Sequence, residues 1–211
     1  MGEPKTATPY LPTRRNLTSL RRAAATCRGC DLWRDATQTV FGEGLKRSHL
    51  MLVGEKPGND EDLDGKPFVG PAGRELDRGL DEAGIDRDDV YVTNVVKHFK
   101  FEERGRRRIH KKPDAVEIQA CLPWLEAEIA VVRPHVLLCL GATAAKALLG
   151  SAFRVTVDHG TEIEHPLVPR ASGTIHPSAI LRAPDETERE LKRALFAEDL
   201  SKVKSWVDTI V

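Results

Sequence analysis

Four cysteines constrain this 211-residue chain more than any other feature. Cys27 and Cys30 form a C-x2-C pair, whereas Cys121 and Cys139 stand about ninety residues further on, with seventeen residues between them. Four thiolates can hold either a zinc ion or a 4Fe–4S cluster. Zinc ribbons usually contain two closely spaced pairs, and this sequence contains only one.

The surroundings of the two later cysteines favour the cluster. Cys121 falls in a helix-like stretch and Cys139 in a strand-like run, Val136–Leu140. Ligands from separate, well-formed elements suit a bulky iron–sulfur cluster better than a small zinc clip. A zinc site and a set of unrelated buried thiols are the alternatives, since free cysteine often behaves as a small buried apolar residue.

The composition is that of one soluble globular domain, with 40% hydrophobic and 30% charged residues. No apolar run is long enough for a transmembrane helix, so we expect no membrane contact. The N-terminus lacks an apolar signal segment, so we expect a cytoplasmic location, where thiols stay reduced. We expect residues 1–15 to be a flexible N-terminal tail and residues 16–211 to form a single, monomeric domain.

The charge is balanced overall but unevenly placed. The net charge is zero, yet residues 97–112 contain eight Lys or Arg and two Glu, which gives this segment +6 and leaves −6 for the rest. A local basic segment on a neutral protein predicts a directed contact with an anionic partner such as nucleic acid.

Hydrophobic runs and helix breakers predict alternating strands and helices. The predicted strands are 50–53, 90–94, 136–140 and a fourth near 162–168. The predicted helices are 16–26, 74–83, 114–132, 142–149 and one from about 185 to the C-terminus, with Pro123 kinking or restarting the third. The predicted loops include 54–73 and 97–112. This order predicts an α/β fold, a three-layer α/β/α sandwich with a central, mostly parallel four-stranded sheet.

Polar residues follow three of the predicted strands. Glu55 lies in a Gly-Pro-rich loop after the first, Asn94 ends the second, and His176 follows the last. Since a parallel sheet binds ligands beyond the carboxyl ends of its strands, we expect these side chains to lie together. Each feature alone is weak, because such positions often hold a turn glycine, a capping asparagine or a structural histidine.

Together with the cysteine spacing, these segments resemble the uracil-DNA glycosylase superfamily. The similar segments are Gly54-Glu55-x-Pro57-Gly58, Gly65-x-Pro67-Phe68-Val69-Gly70-Pro71-Ala72-Gly73, Thr93-Asn94-Val95-Val96-Lys97 and His176-Pro177-Ser178 with Leu181-Arg182. The cysteines are similar to those of the iron–sulfur branch, family 4 and its relatives. The resemblance implies a 4Fe–4S cluster on the four cysteines and uracil-containing DNA, single- or double-stranded, as the substrate.

The resemblance implies residue roles that make chemical sense. An enzyme that acts on a base flips it out of the duplex, and Phe68 would stack on the flipped uracil. Asn94 would pair with uracil N3–H and O4, which rejects cytosine. His176 would stabilise the charge on the leaving uracil, and Glu55 would stabilise the cationic sugar or orient a water.

The resemblance also implies further contacts. Glu61 would lie near uracil C5 and exclude thymine. The other implied substrate-binding residues are Lys56, Gly54 and Gly58. The implied DNA-binding residues are Arg106, Arg107, Arg108, Lys111, Ser178 and Arg182.

The basic segment resembles the signature loop of the UdgX branch, which becomes covalently linked to uracil-containing DNA through a loop histidine. The matching histidine is His110, whereas ordinary family 4 enzymes carry a short Cys-Arg-Pro-rich loop here. Neighbouring cations disfavour the imidazolium, so His110 should tend toward its neutral, nucleophilic form. Two departures are Lys56, where UdgX members carry Gln, and Asn59, which replaces a common acidic residue. By its residues alone, the segment would more often be a phosphate-binding loop with an incidental histidine, and the resemblance of Arg107-Arg108-Ile109-His110-Lys111 favours the UdgX interpretation.

Three functions follow as alternatives. The first is a glycosylase that cleaves the N-glycosidic bond of uracil and ends as a single-turnover adduct on His110. The second is a conventional family 4 enzyme that turns over and releases uracil and an abasic site. The third is a cluster-bearing nucleic-acid-binding module with an inactive pocket. In each case the DNA-bound protein would be nucleoid-associated.

Overall fold

A five-stranded sheet forms the centre of the protein in the computed structural model, which describes residues 5–210. In chain order the strands are β1 (Leu50–Gly54), β2 (Val90–Asn94), β3 (Phe101–Arg104), β4 (Arg107–His110), β5 (Val136–Leu140), β6 (Ile163–His165) and β7 (Val168–Thr174). The sheet order is β2-β1-β5-β7-β6, and β3 and β4 form a separate antiparallel hairpin.

Helices cover both faces of this sheet. They are α1 (Leu17–Ala24), α2 (Asn59–Asp64), α3 (Pro71–Glu82), α4 (Ala115–Val132), α5 (Ala142–Leu148), α6 (Val155–Asp158), α7 (Ser178–Leu181) and α8 (Glu186–Asp208). Within the described residues, none of these helices has the length and apolar character needed to cross a membrane.

The sheet is parallel except at one edge. β1 pairs in parallel with β2 and β5, and β7 pairs in parallel with β5. The predicted strand near 162–168 is in fact two strands, because Pro166 and Leu167 form a turn and β6 returns antiparallel along β7. The sandwich is therefore confirmed, with five strands in place of the predicted four.

Successive side chains of each inner strand alternate between two apolar layers. Leu50 and Leu52 of β1 pack with residues of α3 and α8, whereas Met51 and Val53 pack with residues of α1 and α4. Burial on both faces explains why the strands are continuous apolar runs.

Side-chain caps fix where the longer helices begin. Asp114 accepts from the backbone N–H of Glu117 at 3.0 Å, which starts α4, and Asp185 accepts from Glu188 N–H at 2.8 Å, which starts α8. Pro123 neither ends nor restarts α4, which continues to Val132.

Three predicted irregular segments contain ordered structure. The predicted loop 54–73 includes α2 and the start of α3, and the predicted loop 97–112 includes the β3–β4 hairpin. In the expected tail, Ala7 is buried and donates its N–H to the carbonyl of Ala120 at 2.7 Å. That part of the tail packs on the domain, and residues 1–4 lie outside the described residues.

Candidate active site

A cavity of about 890 Å³ opens at the carboxyl edge of the sheet. It brings together five side chains that the sequence placed in one site: Glu55, Phe68, Asn94, His110 and His176. They come from the loops after β1, β2 and β7 and from the end of the hairpin, so the predicted grouping is what the topology produces.

Asn94 presents an unpaired acceptor at the end of β2. Its side chain is 2% exposed, and its Oδ1 has no hydrogen-bond partner among the described residues. A Cβ on Gly54 would lie 2.4 Å from this oxygen and 2.6 Å from Cζ of Phe68. Glycine at position 54 therefore lets the acceptor and the aromatic ring approach the same space. A buried orphan acceptor is costly unless a ligand donates to it.

Phe68 forms an aromatic wall with His176. The ring centroids are 6.0 Å apart and the ring planes differ by 28°. The backbone of Phe68 has a φ of +57°, a left-handed conformation that is strained for a bulky residue. Gly73 makes it possible, because a Cβ there would lie 1.8 Å from the carbonyl oxygen of Phe68.

The hydrogen bonds of His176 define its tautomer. Its Nδ1 accepts the backbone N–H of Ser178 at 3.1 Å and lies 2.8 Å from the Ser178 hydroxyl. The remaining proton of the neutral ring is therefore on Nε2. Burial lowers the pKa of His176 to about 4, so the ring is a neutral donor at physiological pH.

Ser178 contacts both His176 and Arg182. Its hydroxyl lies between Nδ1 of His176 and the guanidinium of Arg182, which donates to it at 2.8 Å. It orients His176, and the predicted DNA contact of Ser178 stays a prediction. Arg182 itself is exposed at the cavity rim, as a DNA contact requires.

Glu55 is oriented by a residue that the sequence analysis missed. The hydroxyl of Thr143, in the first turn of α5, donates to Oε2 of Glu55. This bond fixes the carboxylate while leaving Oε1 for the site. Thr143 follows β5 as Glu55 follows β1, so the carboxyl-edge rule that located Glu55 also applies to it.

Glu61 holds two loops together. Its Oε2 accepts from Gly58 N–H and its Oε1 from Gly70 N–H, each at 2.9 Å. Both carboxylate oxygens are thus used by the backbone, although the side chain still lines the cavity. This geometry indicates that Glu61 connects the chain segments before and after Phe68.

A buried ionic network lies beneath Asn94. Lys97 and Glu128 are fully buried and form an ion pair. Lys97 Nζ also donates to the backbone carbonyl of Asn94 at 2.7 Å and to the Thr93 hydroxyl at 2.6 Å. Tyr91 donates to Glu128 at 2.9 Å, so the buried charges are hydrogen-bonded as well as paired. The end of β2 is therefore held rigidly.

Arg108 connects the β3–β4 hairpin to α2. Its guanidinium pairs with the fully buried Asp62 at 2.7 Å and donates to Asn59 Oδ1 at 2.8 Å. Arg108 also lines the cavity, and its predicted contact with DNA phosphate stays a prediction. Arg106 and Arg107, near the hairpin turn, are exposed and form no ion pair within residues 5–210.

His110 reaches the cavity at the end of β4. It packs edge-on against Phe99 at 4.8 Å, and its Nδ1 lies 3.5 Å from Nζ of Lys56. Burial and then the positive charge of Lys56 lower the pKa of His110. Its neighbour Lys111, which also lines the cavity, pairs with Glu102 on β3.

Three of the four cysteines form a group. Cys27, Cys30 and Cys121 are buried, and burial raises the pKa of Cys30 and Cys121. Neighbouring cysteine thiols of the group raise both pKa values further, whereas Lys97 opposes the rise at Cys121. Backbone N–H groups point at two of the sulfurs, from Gly29 to Cys27 at 3.4 Å and from Lys97 to Cys121 at 3.3 Å. Within residues 5–210, no three potential ligands converge on a point where a single ion could bind. The ligands of an iron–sulfur cluster bind different iron atoms, so they lie further apart than the ligands of a single ion. The spacing of this cysteine group fits such a cluster.

Cys139 lies apart from that group. It is a core residue of β5, in register with Val53 on one side and Gly173 on the other. Its pKa is raised by burial alone, with no contribution from another cysteine. The structure therefore groups three of the four predicted cysteine ligands, and the four-cysteine set stays a prediction.

His98 is the ligand candidate that the sequence analysis missed. Its Nε2 lies 2.9 Å from the hydroxyl of Thr39, which donates its only proton to the carbonyl of Ala24. Nε2 must then carry the ring proton, and Nδ1 is a buried lone pair without a partner among the described residues. The Ala24 carbonyl also accepts from Cys27 N–H at 3.0 Å, which places this ring beside the cysteine group.

Comparisons with known proteins agree with this architecture. The profile of the Uracil DNA glycosylase superfamily matches residues 41–201. A type-4 uracil-DNA glycosylase of Thermotoga maritima is 37% identical over 182 residues, which cover 86% of this chain and 89% of that protein. A type-4 uracil-DNA glycosylase of Sulfurisphaera tokodaii is 33% identical over 201 residues, 90% of this chain and 84% of that protein.

The α/β/α sandwich with a cavity at its carboxyl edge and the match over residues 41–201 agree on one class. The chain belongs to the uracil-DNA glycosylase superfamily. Within that superfamily it is similar to proteins named type-4, and a type-5 uracil-DNA glycosylase of Pyrobaculum aerophilum is 28% identical over 181 residues, 78% of this chain and 76% of that protein. The predicted superfamily is confirmed, and the closeness to the UdgX branch stays a prediction.

Proposed function

We propose that this protein excises uracil from DNA by cleaving its N-glycosidic bond. The observation that carries the proposal is that one cavity contains an acceptor without a partner among the described residues, Asn94 Oδ1, and a neutral donor, His176 Nε2–H. The ring of Phe68 lines the same cavity. Uracil offers a matching N3–H donor and carbonyl acceptors, and its face can stack on the ring. Cytosine lacks the N3–H and would leave Oδ1 unpaired.

The chemistry divides the developing charge between two sides of the bond. As the bond between C1′ and N1 breaks, its electron pair leaves with uracil, and Nε2–H of His176 donates to the uracil oxygen that gains charge. The sugar becomes cationic, and the carboxylate of Glu55 stabilises it. The Thr143 hydroxyl keeps that carboxylate oriented.

Release of free uracil from a single-stranded uracil oligonucleotide tests the proposal. Wild-type protein should release uracil, and Asn94→Ala and His176→Ala should lose most of that release while keeping the fold. Bound DNA without any released uracil would instead favour the inactive binding module.

We further propose that His110 captures the cationic sugar. The ring nitrogen without a proton bonds to C1′ in place of water, and the other ring nitrogen then loses its proton to solvent. Placement of His110 in the cavity and its lowered pKa support this step. Turnover with release of an abasic site is the alternative, and the names of the type-4 relatives fit it better.

We also propose a 4Fe–4S cluster held by Cys27, Cys30, Cys121 and His98. The buried group of three cysteines and the orphaned Nδ1 of His98 support this set. The cluster would join the segment after α1 to α4 and to the segment after β2. Since Lys97 bonds both Cys121 and Asn94, the cluster would support the base-recognition strand.

A further inference from the structure

Lys56 places a primary amine in the candidate active site, next to His110. It follows Glu55 directly, lines the same cavity as His176, and has its Nζ 3.5 Å from Nδ1 of His110. An amine this close to the proposed nucleophile can reach the same carbon with a small side-chain rotation.

The surroundings of Lys56 leave its amine uncommitted. Within residues 5–210 it forms no ion pair, and its other polar neighbour is the carbonyl of Pro57 at 3.4 Å. Phe99 lies under it, with Nζ 4.8 Å from the ring centroid, and shields that side from water. By contrast, Lys97 is fully buried in its pair with Glu128 and Lys111 pairs with Glu102.

Burial increases the share of this amine that is neutral. Burial lowers the pKa of Lys56 to about 8, against a weaker opposing effect from Glu55 and Glu61. A lysine with an ordinary pKa near 10.4 holds only about one part in a thousand as free amine at neutral pH, whereas a pKa near 8 gives roughly a tenth. Desolvated lysines are common imine-forming nucleophiles for this reason.

We propose that Lys56 is a second nucleophile of this site, one that forms an imine with C1′ of an abasic deoxyribose. The inference rests on the proposed excision, which supplies that sugar. The open-chain sugar carries an aldehyde at C1′, and the lone pair of Nζ adds to it to give a carbinolamine. With one proton taken up, the carbinolamine loses water and leaves a protonated imine, and addition of water reverses the sequence.

The imine differs chemically from the His110 adduct. His110 attacks the sugar cation as uracil leaves, whereas Lys56 reacts with the aldehyde that forms after water has added or with an abasic site already present. The imine is reversible and reducible, so a hydride donor converts it to a stable secondary amine. This difference allows the two nucleophiles to be separated.

The test uses a single-stranded oligonucleotide with one abasic site prepared beforehand, so that no uracil excision is needed. The full-length His110→Ala protein is mixed with it in the presence of cyanoborohydride, and the protein–DNA band is counted on a denaturing gel. We expect a trapped band whose cross-linked peptide contains Lys56. Adding Lys56→Gln should reduce trapping at least tenfold.

Two further variants keep the test decisive. Lys56→Arg retains the positive charge without a nucleophilic amine and should trap as poorly as Lys56→Gln, while still binding the oligonucleotide. Lys146→Gln, on the exposed side of α5, should trap like its parent. Three results would overturn the proposal. Trapping could persist in Lys56→Arg, or the cross-linked peptide could contain Lys111 or the N-terminus. The third result is an oligonucleotide that binds but is not trapped. Failure of excision would appear separately, as missing uracil release from a uracil oligonucleotide.

Discussion

The backbone N–H of Ser178 donates to Nδ1 of His176 across 3.1 Å, and this bond determines which ring nitrogen carries the proton. A ring fixed in this tautomer donates without first losing or gaining a proton. In the proposed excision, the donor for the leaving uracil is therefore already in place in the loop after β7 before substrate binds.

The first prediction concerns the pH dependence of excision. Because the pKa of His176 is lowered to about 4, the ring stays neutral as the pH falls through 6.5, where an ordinary histidine would protonate. Single-turnover uracil release should show no inflection from His176 between pH 8 and about pH 5. His176→Ala should lower the rate by about 10²- to 10³-fold throughout. An inflection near pH 6.5 that disappears in His176→Ala would show that the ring titrates normally.

A second prediction concerns discrimination between bases. Asn94→Asp should lose the preference for uracil over cytosine by about 1–3 kcal/mol, because the paired hydrogen bonds to N3–H and O4 are replaced by a carboxyl group. The measurement is the ratio of excision rates on matched uracil and cytosine oligonucleotides, with binding to abasic DNA as the folding control. An Asn94→Asp protein that still acts on uracil alone would count against the role of Asn94.

A third prediction separates the arginines of the hairpin. Arg106→Ala and Arg107→Ala should each reduce the dependence of DNA affinity on the logarithm of salt concentration by about one unit or less, since each releases fewer counterions. Arg108→Ala should leave that slope unchanged and lower capture by His110, because it frees the hairpin from Asp62. Arg47→Ala, just before β1 at the opposite edge of the sheet, is the control. Equal slopes for all variants would mean that the hairpin turn does not touch phosphate.

A fourth prediction concerns the cluster. Purified protein should be brown, with broad absorbance near 400 nm, as is typical of thiolate-bound iron–sulfur. Cys121→Ser and His98→Ala should bleach it, whereas His98→Cys and Cys139→Ser should keep the colour and the iron content. Bleaching by Cys139→Ser with retention in His98→Ala would restore the four-cysteine set. Stoichiometric zinc without iron would refute the cluster itself.

The sequence predicts a feature correctly where that feature depends only on neighbouring residues in the same strand or helix. Strands 90–94 and 136–140 have the predicted bounds, because their apolar β-branched or leucine runs stop at a polar residue or a glycine. The grouping of Glu55, Asn94 and His176 followed from strand order alone.

The sequence does not predict the role of a side chain whose contacts come from residues distant in the chain. Arg108 looks like its neighbours Arg106 and Arg107, and only Asp62, 46 residues earlier, distinguishes it. Cys139 is as plausible a ligand as Cys121 until the sheet order places it in the core. The β3–β4 hairpin was not predicted, because its many charged residues leave no clear alternation of apolar and polar side chains. Gly105, with a φ of +60°, forms its turn.

The most direct test of the account is mass spectrometry of wild-type protein mixed with a uracil oligonucleotide, with free uracil measured in the same sample. The account predicts one uracil released for each covalent complex, a complex that survives heat and SDS, and a cross-linked peptide that contains His110. His110→Ala should lose the complex and still release uracil, because Glu55, Asn94 and His176 remain. Many turnovers without a stable complex, or an adduct on another residue, would contradict capture by His110, and absence of released uracil would contradict excision.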